Sequence, residues 1–220
     1  MNVLAIIQAR MGSTRLPGKV MLPLGGMPVV ELVYRRVQRA GVRAIVATPH
    51  GDYQRLQYHV FGGIAANDEV FPWVGPENDV LGRYIACATA QNPWPDIVVR
   101  ITADCPLVLP EAIHFAIAKV ADGRPYYGWR YLNVKGWDVE AFTMAALLES
   151  SVEPVHREHV TTAMQATYGI GAWGEDRVSL TLDTQADYER LQSIVAQLRD
   201  PVAASAEEIY RAAEALCATA

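Results

Sequence analysis

The feature that most constrains the fold is Val3-Leu4-Ala5-Ile6-Ile7, five apolar residues, mostly β-branched, that end abruptly in a polar loop containing Gly12, Pro17 and Gly18. A short continuous run of this kind suits a strand buried on both faces of a parallel sheet. The loop behind it then stands at the strand's carboxyl end, where open α/β sheets gather their ligands. Pro28 can occupy the first turn of a following helix carrying Val29, Leu32, Val33 and Val37 on one face, with Gly41 as a stop after Ala40. The unit repeats. Ala44-Ile45-Val46-Ala47 is strand-like, Asn78 can cap a helix holding Val80, Leu81, Tyr84, Ile85 and Ala88, and Asp96 to Ile101 gives another strand.

This alternation predicts an α/β fold, a three-layer sandwich around a mostly parallel sheet. Pro125 to Phe142 is aromatic and turn-rich and reads as a hairpin-type insertion, a candidate contact for a second copy. Beyond it, Glu153 to Ala166 reads as helix, Arg177 to Leu182 as strand, and Thr184 to Leu198 and Ala204 to Ala218 as helices. No repeat, low-complexity tract or Pro/Ser linker divides the 220 residues, so a single domain over 1–220 is expected.

Charge narrows the partner. A net charge of −5 argues against a surface organised around nucleic-acid phosphates and favours a small molecule with a local basic site. Three widely spaced cysteines, Cys87, Cys105 and Cys217, without a CxxC pair suggest neither a disulfide framework nor a zinc site. The opening apolar run is too short for a signal peptide core or a membrane span, so a cytoplasmic protein without membrane partners is expected.

The loop from Gln8 to Lys19 places Arg10, Arg15 and Lys19 within ten residues, beside Gly12, Ser13 and Gly18. Glycines admit close backbone approach, arginines offer planar forks and lysine a compact charge, a combination that suits a polyphosphate. On local sequence alone a solvated basic turn is the commoner reading, and neither a Walker A loop nor a GxGxxG fingerprint is present. Asp104, just past the strand ending at Ile101, is either a turn-capping residue or a metal ligand at the sheet edge. Asp183 is either the N-cap of the next helix or a second ligand. Asn78, Asp79 and Arg83 read either as ordinary capping with a surface arginine or as part of a ligand pocket.

Ile7-Gln8-Ala9-Arg10-Met11-Gly12-Ser13-Thr14-Arg15-Leu16-Pro17-Gly18-Lys19 closely resembles the opening of the spore-coat polysaccharide cytidylyltransferases, relatives of the CMP-KDO and CMP-sialic acid synthetases. Asp79-Val80-Leu81-Gly82-Arg83-Tyr84, Arg100 to Leu107, Asp138 to Phe142, Arg157 to Thr161 and Leu182 to Tyr188 resemble the same family in order. The resemblance implies the fold of nucleotide-diphospho-sugar transferases and transfer of CMP from CTP, with Mg2+, to a small anionic acceptor. It implies that Arg10 and Lys19 hold the triphosphate with Arg15 beside them. Gln8, Ala9, Gly12 and Ser13 then approach the nucleotide, and Asn78, Asp79 and Arg83 lie near the base.

By the same resemblance Asp104 and Asp183 hold the metal, and Arg10, Lys19 and Asp104 form the catalytic set. Asp138 and Glu140, on one face of a strand, are expected at an acidic-sugar acceptor or the metal, with Arg157 or Arg130 at the acceptor carboxylate, and a homodimer is expected. His156 and His159 do not form HExxH with Glu158, so a metal site there is rejected and His159 is expected to be a packed or capping residue. Gln8 stands where CMP-KDO synthetases show proline, and Ala103 where glycine often precedes the aspartate. These departures keep a phosphonate or polyol phosphate acceptor, or a glycosyltransferase of related fold, in view.

Overall fold

The computed structural model describes residues 1–60, 69–130, 134–150, 157–169 and 178–217. His156, Arg177 and the Glu153 start of the expected helix lie outside the described residues. In chain order the elements are β1 (Val3–Gln8), a 3-10 turn (Lys19–Met21), β2 (Pro23–Leu24), β3 (Met27–Pro28), α1 (Val29–Arg39), β4 (Arg43–Pro49), α2 (His50–Val60) and β5 (Val70–Trp73). They continue with α3 (Val80–Thr89), β6 (Ile97–Thr102), α4 (Pro110–Ala121), β7 (Tyr126–Arg130), β8 (Val134–Lys135), β9 (Asp138–Thr143) and α5 (Met144–Glu149). The last are α6 (Thr162–Tyr168), β10 (Val178–Ser179), α7 (Gln185–Val195) and α8 (Ala206–Cys217).

The central sheet has the order β5-β4-β1-β6-β9-β7. β5, β4, β1 and β6 run parallel, whereas β9 pairs antiparallel with both β6 and β7. β1 is buried from both sides: Ala5 and Ile7 join the apolar cluster beneath α1 and α4, while Leu4 and Ile6 join the cluster beneath α3 and α5. The mostly parallel three-layer arrangement expected from the alternating pattern is therefore present. Within 125–142, β7 and β9 pair antiparallel as the expected hairpin would, but they are not an appendage: they complete the main sheet. Val139 and Ala141 face one cluster and Phe142 the other, which ties β9 into both layers.

Several boundaries differ from the sequence expectation, among them the end of α7 at Val195 and the start of α8 at Ala206. Asp79, not Asn78, caps α3 by accepting from Gly82 N at 2.9 Å. Arg157 to Thr161 are turns rather than helix, because the Arg157 carbonyl accepts from Leu81 N at 2.8 Å and docks that segment on the start of α3. The strand expected to Leu182 shortens to Val178–Ser179. Arg36, on α1 and fully buried, holds distant segments together by donating to the carbonyls of Val108, Pro201, Val202 and Ala204. Among the described residues no helix is long and apolar enough to cross a membrane.

Candidate active site

The β1 backbone pairing runs past the strand. Ala9 N donates to Ala47 O and Ala103 N to Gln8 O, so the loop after β1 leaves the sheet beside the end of β6. Gly18 closes this loop: it takes φ +70°, accessible without a Cβ penalty, and its N donates to Met11 O at 3.0 Å. Asp52, in the first turn of α2, accepts from Met11 N at 2.8 Å and pins the other side. The amides of Gly12, Ser13 and Thr14 have no partner among the described residues, which leaves them available to an anion.

The loop walls a polar cavity of about 230 Å³ lined by Arg10, Arg15 and Lys19, by Asp104 and Asp183, and by Gln8, Gly12 and Ser13. Lys19 Nζ sits between the two carboxylates, 3.0 Å from Asp104 Oδ2 and 3.0 Å from Asp183 Oδ1, and also donates to Leu182 O at 2.7 Å. Burial works against the Lys19 ammonium, but the charge and hydrogen bonds of Asp104 and Asp183 outweigh it and hold its pKa above the ordinary value. Burial likewise opposes ionisation of Asp104; Lys19, a hydrogen bond from Thr102 and the charge of Arg100 reverse this and hold its carboxyl below the ordinary range. Arg15 reaches Asp183 at 3.1 Å.

Asp183 is free for this work because the neighbouring residue takes the capping role. Thr184 Oγ1 accepts from Asp187 N, and the Asp187 carboxylate accepts from Thr184 N, a reciprocal box at the start of α7. The main chain joins the two carboxylate-bearing segments as well, since Leu182 N donates to Asp104 O at 2.8 Å. Among the described residues no group of three or more His, Cys, Asp or Glu forms a metal cage. Two carboxylates beside an open anion cavity suit an ion such as Mg2+, which keeps waters and takes its remaining ligands from substrate phosphates.

A second cavity, of about 150 Å³, adjoins the first through Gln8 and Arg10 and is also bordered by Ala9, Arg83, Arg100 and His159. Gln8 Oε1, Arg83 Nε and Arg100 Nε are buried without a hydrogen-bond partner among the described residues. One unmet acceptor and two unmet donors around one small space are the signature of a polar ligand or ordered water. Arg83 is 1% exposed and donates from Nη2 to Glu77 O at 2.7 Å, so it is no surface arginine. Burial lowers its pKa from the usual arginine value. Asn78 borders a third, open space with Glu77, Arg10 and Gly12.

The residues expected at the acceptor are not gathered in these cavities. Arg157 makes a bidentate pair with Asp79, its Nε and Nη2 each 2.8 Å from a carboxylate oxygen, so each is the other's partner rather than a free clamp or base contact. Asp138 pairs with Arg130. Glu140 is 4% exposed and saturated: it pairs with Arg100 at 2.5 Å and accepts from Tyr126 and Gln165. Burial would raise its pKa, yet Arg100 and these donors hold it below the ordinary range. His159 is not packed away; it is exposed at the rim of the second cavity beside Glu158. Arg100 and Glu77 were not singled out from sequence. Arg100 carried a signal, a cation in an otherwise apolar central strand, whereas Glu77 carried none.

Comparison with known proteins agrees with this fold. Spore coat polysaccharide biosynthesis protein SpsF of Bacillus subtilis (strain 168) is 29% identical over 94% of this chain and 92% of its own. A 3-deoxy-manno-octulosonate cytidylyltransferase of Anaeromyxobacter dehalogenans (strain 2CP-C) is 36% identical over 56% of this chain, a match spanning 48% of that protein. The solved structure of a cytidylyltransferase from Leptospira borgpetersenii serovar Hardjo-bovis (strain JB197) superposes with a TM-score of 0.81 at 26% identity, covering 100% of this chain and 95% of the other. The cytidylyltransferase family model matches residues 4–214, from β1 through the two carboxylates and into α8, and the chain belongs to that cytidylyltransferase family.

Proposed function

We propose that the protein transfers CMP from CTP to an acidic sugar of the nonulosonic or octulosonic type, with Mg2+, releasing pyrophosphate. The observation that carries this is the convergence of Arg10, Arg15 and Lys19 with Asp104 and Asp183 on one cavity at the carboxyl edge of the sheet. The acceptor hydroxyl oxygen attacks the α-phosphorus and gives up its proton to water, the bond from that phosphorus to the bridging oxygen breaks, and pyrophosphate departs. Arg10, Arg15, Lys19 and the loop amides receive the charge that develops on the phosphate oxygens. Asp104 and Asp183 would hold Mg2+, which supplies further charge neutralisation.

The second cavity suits the base. Cytosine offers an exocyclic amine to Gln8 Oε1 and ring acceptors to the Arg83 guanidinium, which answers unmet groups on both sides. Glu140 then acts through Arg100, and Asp138 with Arg130 borders the acceptor from β9 and β7. Arg157 reaches an acceptor carboxylate only when its pair with Asp79 opens. Edge strand β7, whose Trp129 and Tyr127 pack on Phe115, is the contact proposed for a homodimer.

The test is pyrophosphate release from CTP and Mg2+ with a panel of acidic sugars, phosphonates and polyol phosphates. Release with an acidic sugar supports the proposal, and release only with a phosphonate or polyol phosphate reassigns the acceptor. No release with any member, alongside turnover of a preformed nucleotide sugar, replaces the proposal by a glycosyltransferase.

A further inference from the structure

Glu77 is a carboxylate held over a loop otherwise arranged to attract anions. Its Oε1 lies 3.4 Å from Arg10 Nη1, with the two side chains about half exposed at 52% and 48%. The same oxygen covers Gly12 so closely that a Cβ there would lie 2.7 Å from it. Glycine at position 12 thus leaves the space that this carboxylate uses. The backbone that presents Glu77 is anchored: Arg83 Nη2 donates to Glu77 O at 2.7 Å, Asp79 N to Pro76 O at 3.0 Å, and Trp73 Nε1 to the same Pro76 carbonyl at 3.0 Å. Glu77, Arg10 and Gly12 together line the open space that meets the mouth of the phosphate cavity.

From this juxtaposition we propose that Glu77 is the exchangeable counter-ion of Arg10, a positioning residue that yields Arg10 to the triphosphate on binding and recovers it as pyrophosphate leaves. The proposal rests on reading the adjoining cavity as the triphosphate site. In the free protein Glu77 keeps the Arg10 guanidinium at the rim, away from Asp104 and Asp183, which Lys19 and Arg15 already serve. A polyphosphate brings several negative charges to the same fork and displaces a single half-exposed carboxylate. When only pyrophosphate remains, Glu77 competes with it for Arg10 and speeds its departure.

The experiment is calorimetric binding of inorganic pyrophosphate, with Mg2+ at low ionic strength, to the wild type, Glu77→Gln, Arg10→Ala and the double variant. An exposed ion pair of this kind corresponds to a change of about two- to five-fold. Glu77→Gln is therefore expected to bind pyrophosphate tighter by that factor, and Glu77→Gln in the Arg10→Ala background to change nothing further. In turnover with CTP, the Gln variant lowers KM and strengthens product inhibition by pyrophosphate without raising kcat. Unchanged or weaker pyrophosphate binding by Glu77→Gln overturns the proposal while leaving the triphosphate site intact. Equal tightening with and without Arg10 also overturns it, since Glu77 would then act as a general field. If neither CTP nor pyrophosphate binds the wild type, the cavity is not a triphosphate site and both readings fall.

Discussion

Replacing Lys19 by Met keeps most of the side-chain volume and removes the ammonium that stands between Asp104 and Asp183. Both carboxylate oxygens lie 3.0 Å from that nitrogen, so they are within about 6 Å of each other. Unshielded, two such charges repel by about 3 kcal/mol at an effective dielectric near 20. Arg15, bonded to Asp183 but 63% exposed, and the partial exposure of both aspartates reduce this to about 2 kcal/mol. The Leu182 carbonyl left without its donor adds up to about 1 kcal/mol. The sum, about 3 kcal/mol, corresponds to a melting-temperature loss of roughly 6–12 °C for a domain of this size.

Magnesium should substitute for the missing cation. The assay is thermal unfolding of wild type and Lys19→Met in chelator and across a Mg2+ titration at low salt. The variant is expected to recover most of its deficit as the metal is added, while the wild type gains less. A variant that melts with the wild type in chelator, or whose deficit is unmoved by metal, would show that the two aspartates and Lys19 do not form one electrostatic unit.

Two further outcomes follow from groups away from the cavity. Arg36→Met strips donors from four backbone carbonyls and should destabilise the protein by about 3 kcal/mol in urea unfolding, with the largest early loss of hydrogen-exchange protection in residues 202–204. Glu140, held below its ordinary value of 4.5, contributes stability that is fully present above that value and is lost as pH falls through the lower folded value. Melting temperature should therefore be level from pH 8 to about 5 and decline below it, and Glu140→Gln should be less stable near neutrality with a shallower acid decline. A steep loss between pH 8 and 6 would contradict this.

The parts of the site that lie just past buried strands were legible in the sequence. The Gln8–Lys19 loop follows β1 and Asp104 follows β6, so local apolar runs were enough to place them at one edge. The N-cap alternative for Asp183 fell because Thr184 caps α7 through its box with Asp187. Contacts set by tertiary approach were not legible. The bidentate Arg157–Asp79 pair joins residues 78 positions apart, and the burial of Glu140 depends on Arg100, Tyr126 and Gln165 arriving from three other elements. The direction of β9 was hidden for a similar reason, because the alternation of residues along a strand is the same whichever way it runs beside its neighbour.

The main-chain bond from Leu182 N to Asp104 O has a consequence for how tolerant the chemistry is to change. The spacing of the two aspartates is inherited from the backbone, so it survives alterations of the side chains themselves. Lys19 also takes the Leu182 carbonyl, so the same peptide segment carries the ruler and the counter-charge. Conservative amide substitutions at Asp104 or Asp183 should then alter charge at an unchanged separation, so the charge facing the cavity can drift while the fold stays still.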